Sequence, residues 1–80
     1  MPRLKVLGGK DLLKIFANYG FEKVGQHGSH VKIKRAGQDG IETLTIPLHI
    51  EIDRGLLKQI FVQATKYIPD SDLREYFYTR

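Results

Sequence analysis

Gly25-Gln26-His27-Gly28-Ser29-His30-Val31-Lys32-Ile33-Lys34-Arg35 is the stretch that decides the fold, because its pattern predicts a tight turn followed by an alternating strand. In an extended strand, side chains at every second position share one face. Alternation therefore separates a polar row from an apolar row, namely His30, Lys32 and Lys34 against Val31 and Ile33. A strand with one buried face and one polar face follows from this pattern.

The glycine inside this stretch predicts a two-residue hairpin turn at His27-Gly28, because glycine adopts positive φ at little steric cost. In the resulting register Val24 faces Val31 on the buried side, and Gly25 faces His30 on the other side. No cross-strand side chain then covers the imidazole, and a substrate has room to approach it.

Periodicity along the rest of the chain predicts two main helices and two further strands. The predicted elements are a helix over 10–19, strands over 21–26, 29–35 and 42–48, a helix capped by Asp53, and a short terminal helix over 71–77. This α-β-β-β-α order predicts an α+β fold, with a three-stranded antiparallel sheet and two helices on one face. The other face of the sheet is then open to solvent.

The open face of the predicted sheet carries five polar residues, which are His30, Lys32, Lys34, Thr43 and Thr45. A histidine at the start of a strand is most often a polar surface residue, and a row of lysines is most often a solvated face. The functional alternative is that the imidazole transfers protons near neutral pH while Lys32, Lys34 and Arg35 contact phosphates. Because this face has no aromatic residue, recognition of RNA shape or backbone fits better than stacking on bases.

Length and composition place the chain among ordinary globular proteins. Eighty residues predict a single domain over 1–80, and the net charge of +4 favours an anionic partner. There is no cysteine, which excludes thiol catalysis, disulfides and cysteine-ligated zinc. No apolar run has the length of a signal sequence or a membrane span, so we expect a cytoplasmic protein that does not contact membranes.

Two further patterns are too weak to predict a bound metal or phosphate cofactor. His27 and His30 have a two-ligand metal spacing, but the predicted turn separates them and no carboxylate or third histidine lies nearby in sequence. His49 joins them only through a tertiary contact. Gly8-Gly9 precedes a helix and lacks the rest of a phosphate-binding motif, so an ordinary helix start is the better interpretation.

Four segments of the chain resemble one protein family, the HicA toxins of HicA-HicB toxin-antitoxin modules, also called the YcfA-like family. These segments are Gly20-Phe21, Gly28-Ser29-His30, Thr45-Ile46-Pro47-Leu48-His49, and Gly55-Leu56-Leu57-Lys58-Gln59-Ile60 followed by Gln63-Ala64. The resemblance runs from about residue 5 to residue 66, and the spacing from Gly-Phe to Gly-Ser-His is its most specific part.

The resemblance implies a fold like the double-stranded RNA-binding domain and the activity of an mRNA interferase. Such a toxin is a ribosome-independent endoribonuclease that a HicB antitoxin neutralises by covering its active face. The family's functional histidine falls on His30, and with the charge row we expect the RNA-contacting residues to be Gly28, Ser29, Lys32, Lys34 and His49. His49 either assists as a proton donor or has a capping or structural role.

Two segments depart from the family pattern. Gly55-Leu56-Leu57 stands where the family usually has Gly-Thr-Leu, which removes a hydroxyl near the start of the second helix. The ending over 67–80 is longer than usual and serves either the antitoxin or the core.

The leading hypothesis is a metal-independent endoribonuclease toxin, monomeric when free, with His30 as general base and a HicB-type antitoxin as partner. The first alternative is a non-catalytic RNA-binding module that uses the same basic face. The second is a protein-interaction domain whose docking surface is Tyr76, Phe77 and Tyr78.

Overall fold

A computed structural model of the protein describes residues 2–79 and has the α-β-β-β-α order that the sequence predicts, followed by a third helix. The elements are α1 (Gly9–Ala17), β1 (Glu22–His27), β2 (His30–Gly37), β3 (Gly40–Pro47), α2 (Arg54–Ala64) and α3 (Asp70–Phe77). The strands form one antiparallel sheet in the order β1-β2-β3, which confirms the predicted α+β class. Within residues 2–79 no helix is both long enough and apolar enough to cross a membrane.

The helices cover only one face of this sheet. Val31 and Ile33 of β2 are buried, whereas Lys32 and Lys34 between and after them are exposed, as the alternation predicts. The buried cluster combines apolar residues from the strands with those of the helices: Leu12, Ile15, Phe16, Phe21, Val31, Ile33, Leu44, Ile46, Ile52, Leu57, Ile60, Phe61, Ala64, Ile68, Leu73 and Phe77. All the large apolar side chains of β2 are used in this core, and the opposite face of the sheet keeps its polar side chains in solvent.

The third helix packs on the core, so Phe77 is not available to the docking surface that the sequence predicts around its end. Phe77 is 0% exposed, and its ring centroid lies 5.3 Å from that of Phe61 and 6.2 Å from that of Phe16. Tyr76 and Tyr78 are half-buried beside it. Aromatic rings at these separations contribute packing energy to the fold, and Phe77 offers no surface to a partner.

The structure contains both main helices that the sequence predicts, and the one predicted over 10–19 spans Gly9–Ala17. Asp53 caps α2, where the backbone N–H of Leu56 donates to its carboxylate at 3.2 Å. At α1 a Cβ on Gly9 would lie 2.2 Å from the carbonyl oxygen of Pro47, and one on Gly8 would lie as close to that of Ile50. The two glycines therefore allow the backbone of 47–50 to pack directly on the start of α1.

The β1–β2 hairpin differs from the predicted one by one residue on each strand. Gly28 and Ser29 form the loop, and His27 is the last residue of β1, paired with His30. Gly28 has φ of 59°, whereas Ser29, like every other described residue that is not glycine, does not have positive φ. Positive φ at the first loop position alone is the pattern of a type II′ turn. The sequence predicts Gly28 at the second loop position, which is where the other common hairpin turn, type I′, favours glycine.

The correction changes the partner of every residue in the hairpin. Gly25 lies opposite Lys32 and not opposite His30. Val24 does not face Val31, because it lies in a β-bulge between Lys23 and Gly25 and is 54% exposed. A bulge adds one residue to one strand, and in this way β1 keeps its contacts on both sides of the irregularity.

Candidate functional site

A shallow groove crosses the open face of the sheet along the predicted polar row. It has a volume of about 460 Å³, and the residues that line it are Val24, Gly25, Gln26, His27, His30, Lys32, Lys34 and Thr45. Strand β2 supplies His30, Lys32 and Lys34 because these three positions alternate with the buried apolar ones. The structure thus brings together three of the site residues that the sequence predicts.

The electrostatic character of the groove is cationic. In the part of the chain that the structure describes, the side chains of Lys32 and Lys34 form no ion pair, and no carboxylate lines the groove. Two exposed ammonium groups on one face attract an anion, and phosphate contacts of this type carry affinity without base specificity. The groove is therefore suited to the backbone of a nucleic acid.

His27, which the sequence places in the hairpin turn, is a residue of the groove. It is exposed, lies directly opposite His30 across the hairpin, and lines the same groove. Directly opposite residues of antiparallel strands project from the same face, with Cβ atoms about 4.5–5.5 Å apart. A second imidazole, and not open space, therefore stands beside His30.

The open space lies next to Lys32. A Cβ built on Gly25, its cross-strand partner, would have no atom within 4 Å. The sequence predicts that Gly25 leaves an open space on this face. The space exists, but it lies beside Lys32 and not beside His30. A phosphate has access to the Lys32 ammonium from the side of β1.

A contact from the end of β3 fixes the turn beside His30. The backbone N–H of Leu48 donates to the carbonyl oxygen of Ser29 at 2.6 Å, and Pro47 pairs with His30. Gly28 and Ser29 themselves are exposed at the end of the groove. This contact continues the β2–β3 ladder beyond β3. Because the carbonyl of Ser29 points toward β3, it does not pair with β1, which favours the observed register.

His49 is separate from the groove. Its carbonyl oxygen accepts a hydrogen bond from the Gly9 N–H at 2.9 Å, and its exposed side chain is not among the groove residues. The backbone of His49 thus satisfies a donor in the first turn of α1. The backbone of His49 therefore has a capping role at α1. Its imidazole does not line the groove.

Arg35 is a structural residue, so its predicted place among the phosphate contacts is wrong. It follows Val31 and Ile33 on the helix side of β2, pairs with the carboxylate of Glu42, and donates to the carbonyl oxygens of Tyr19 at 2.8 Å and Tyr67 at 2.7 Å. The guanidinium carbon lies 4.9 Å from the centroid of the Phe21 ring. These contacts use the guanidinium to join the ends of α1 and α2 to the sheet.

A second cleft, larger than the groove, surrounds this arginine and not the histidines. It has a volume of about 690 Å³ and includes Tyr19, Arg35, Glu42 and Tyr67 among its lining residues. Its arginine and glutamate are already paired, so the groove on the open face is the better anion site.

Burial raises the pKa of the Tyr19 phenol above its ordinary value near 10, and Tyr76 and the charge of Asp72 act in the same direction.

The described residues do not support a metal centre. Within residues 2–79 no group of three or more histidine, cysteine, aspartate or glutamate side chains is placed to hold a metal ion. His27 and His30 are adjacent, but a stable site usually needs three or four ligands. The ionisable side chains that line the groove are those of His27, His30, Lys32 and Lys34.

Comparison with known proteins identifies the family. The chain matches the family model described as the HicA toxin of bacterial toxin-antitoxin systems over residues 9–65, more than half of its length. Searches of curated proteins and of solved structures found no significant match. The matched range contains the whole groove, including the Gly28-Ser29-His30 segment on which the resemblance rests. The chain therefore belongs to the HicA toxin family.

Proposed function

We propose that this toxin is an endoribonuclease of the mRNA interferase type and that His30 is its general base. The observation that carries the proposal is the position of His30: exposed, at the head of Lys32 and Lys34, in a groove without a carboxylate. Membership of the HicA family supports a toxin role for the chain. Together they favour RNA as the substrate of this face.

In the proposed reaction the imidazole of His30 removes the proton from a ribose 2′-hydroxyl while that oxygen attacks the adjacent phosphorus. Lys32 and Lys34 hold the phosphoryl oxygens and stabilise the negative charge that grows on them in the transition state. The exposed turn at Gly28 and Ser29 contacts the RNA backbone next to His30. No metal ion is required for these steps.

The antitoxin follows from membership of a toxin-antitoxin family, and its type and site are part of the proposal. A HicB-type protein neutralises the toxin by covering the open face of the sheet. The free toxin is a cytoplasmic monomer. His49 contributes to RNA binding outside the groove, where it is exposed.

The test compares wild-type protein with His30→Gln in RNA cleavage and in growth arrest after induction. Because His30 is exposed, the substitution leaves the fold intact, and we expect cleavage to fall by about 10²–10⁴. Lys58→Gln, which removes an exposed charge on α2, is the matched control and keeps full activity. Growth arrest and mRNA loss that survive His30→Gln contradict the assignment, and RNA that is bound but never cut indicates a non-catalytic binding module.

A further inference from the structure

The observation that extends the proposed function is the pairing of two histidines at one end of the groove. His27 closes β1 and His30 opens β2, directly opposite each other on the open face. Both side chains are exposed, and in the described part of the chain neither has a hydrogen-bond partner. Two imidazoles so placed can contact opposite sides of one phosphate group.

The chemistry of RNA cleavage needs a second proton-transfer group. The general base accepts the proton of the 2′-hydroxyl, but the ribose O5′ on the other side of phosphorus leaves as an alkoxide unless it receives a proton. Of the described residues that line the groove, His27 and His30 alone have a side chain of the type that gains and loses protons near neutral pH. His49 does not line the groove.

We propose, on the basis of the proposed function, that His27 is the general acid that protonates the leaving O5′. As the 2′-oxygen bonds to phosphorus, its proton passes to His30, and as the P–O5′ bond breaks, the imidazolium of His27 gives its proton to O5′. The products are a 2′,3′-cyclic phosphate and a 5′-hydroxyl. One proton has moved from His27 to His30, and exchange with water restores both groups.

The experiment uses two oligoribonucleotides that differ in one atom, the leaving oxygen or a sulfur in its place. A thiolate departs without protonation, so a general acid accelerates cleavage of the oxygen substrate and contributes little for the sulfur substrate. We expect His27→Gln to slow cleavage of the oxygen substrate by about 10²–10⁴ and to cleave the sulfur substrate at nearly the wild-type rate. His30→Gln slows both, because the base acts on the attacking oxygen in each.

The remaining outcomes separate this inference from the proposed function. If His27→Gln slows both substrates equally, His27 holds RNA and is not the acid; if it slows neither, His27 has no part in the reaction. In both cases the role of His30 stands. If wild-type protein cuts neither substrate, the endoribonuclease proposal fails and this inference fails with it. Because His27 is exposed, thermal unfolding of His27→Gln and a second variant, His27→Asn, shows whether the fold is preserved.

Discussion

Lys34 and Arg35 are adjacent cations in β2, yet the structure uses them in opposite ways. Lys34 lies in solvent on the open face, in the groove with His30. Arg35 lies on the helix side, where Glu42 and two backbone carbonyls take up its donors. A rotation of about 180° per residue along the strand is enough to make one residue a candidate ligand and its neighbour part of the scaffold.

The same contrast holds for the two faces of the whole sheet. On the helix side, polar groups are paired and apolar groups are buried, so substitutions there change stability. On the open face, the side chains of His30, Lys32 and Lys34 are exposed and have no partner within the described residues, so we expect substitutions there to change the proposed binding and catalysis and not stability. Charge in the sequence therefore does not identify a site until its face is known.

The largest effect on stability is expected from Phe77→Ala on the helix side. Phe77 is 0% exposed and packs against Phe16 and Phe61, so the substitution creates a cavity and costs about 3–5 kcal/mol. Urea unfolding measures the loss, which is a large part of the 5–15 kcal/mol typical of a domain. Val62→Ala on the exposed side of α2 is the control and changes stability by less than ~0.5 kcal/mol. A small effect of Phe77→Ala would mean that α3 does not belong to the cooperative core.

Arg35→Met tests the contrast between adjacent cations directly. It leaves the Glu42 carboxylate and the carbonyl oxygens of Tyr19 and Tyr67 without their donor, and we expect the free energy of unfolding to fall by about 1–3 kcal/mol. Lys34→Met, one position away, is the matched control and costs less than ~0.5 kcal/mol. Equal losses in the two variants would contradict the division of the strand into a structural and a ligand-binding face.

Period-2 alternation predicted most of this arrangement from the sequence. Because Val31 and Ile33 must be buried, the side occupied by His30, Lys32 and Lys34 followed at once, and the structure agrees. The same rule assigns Arg35 to the buried side. Grouping Arg35 with the lysines by charge overlooked a signal that was present in the pattern.

Local sequence rules do not predict the register of the hairpin. Gly28 is compatible with the first or the second position of a two-residue turn, and the difference moves every cross-strand pair. The contact from Leu48 to Ser29 favours the observed register and comes from β3's end, outside the hairpin, while the bulge after Lys23 accommodates that register within β1. The predicted register consequently places His27 in the turn, whereas in the structure it faces His30.

On the open face we expect a smaller effect, a change in RNA affinity without a change in stability. The slope of log affinity against log salt is negative, and each phosphate contact on single-stranded RNA makes it steeper by about 0.7. If Lys32 and Lys34 each contact one phosphate, replacing both with glutamine makes the slope less steep by about 1.4. Binding is measured with 2′-O-methyl RNA, which has no 2′-hydroxyl to attack phosphorus and stays intact. The paired control removes two exposed lysines elsewhere, Lys58→Gln and Lys66→Gln, and keeps the wild-type slope. If both double variants make the slope equally less steep, net charge and not the groove determines RNA affinity.

The smallest effect is expected from Tyr19→Phe, beside Arg35 on the helix side. Burial, the neighbouring Tyr76 and the charge of Asp72 raise the pKa of Tyr19, so the folded protein favours the neutral phenol. The stability that depends on this preference is complete below pH ~10, the ordinary pKa of tyrosine, and decreases as pH rises through the folded-state pKa. Phenylalanine cannot ionise, and the variant should therefore lose less stability than wild type between pH 9 and 11. Urea unfolding of both proteins across this range measures the difference, with their difference at pH 7 as the baseline. Parallel pH curves would show that the Tyr19 hydroxyl is as well solvated in the folded protein as in the unfolded chain.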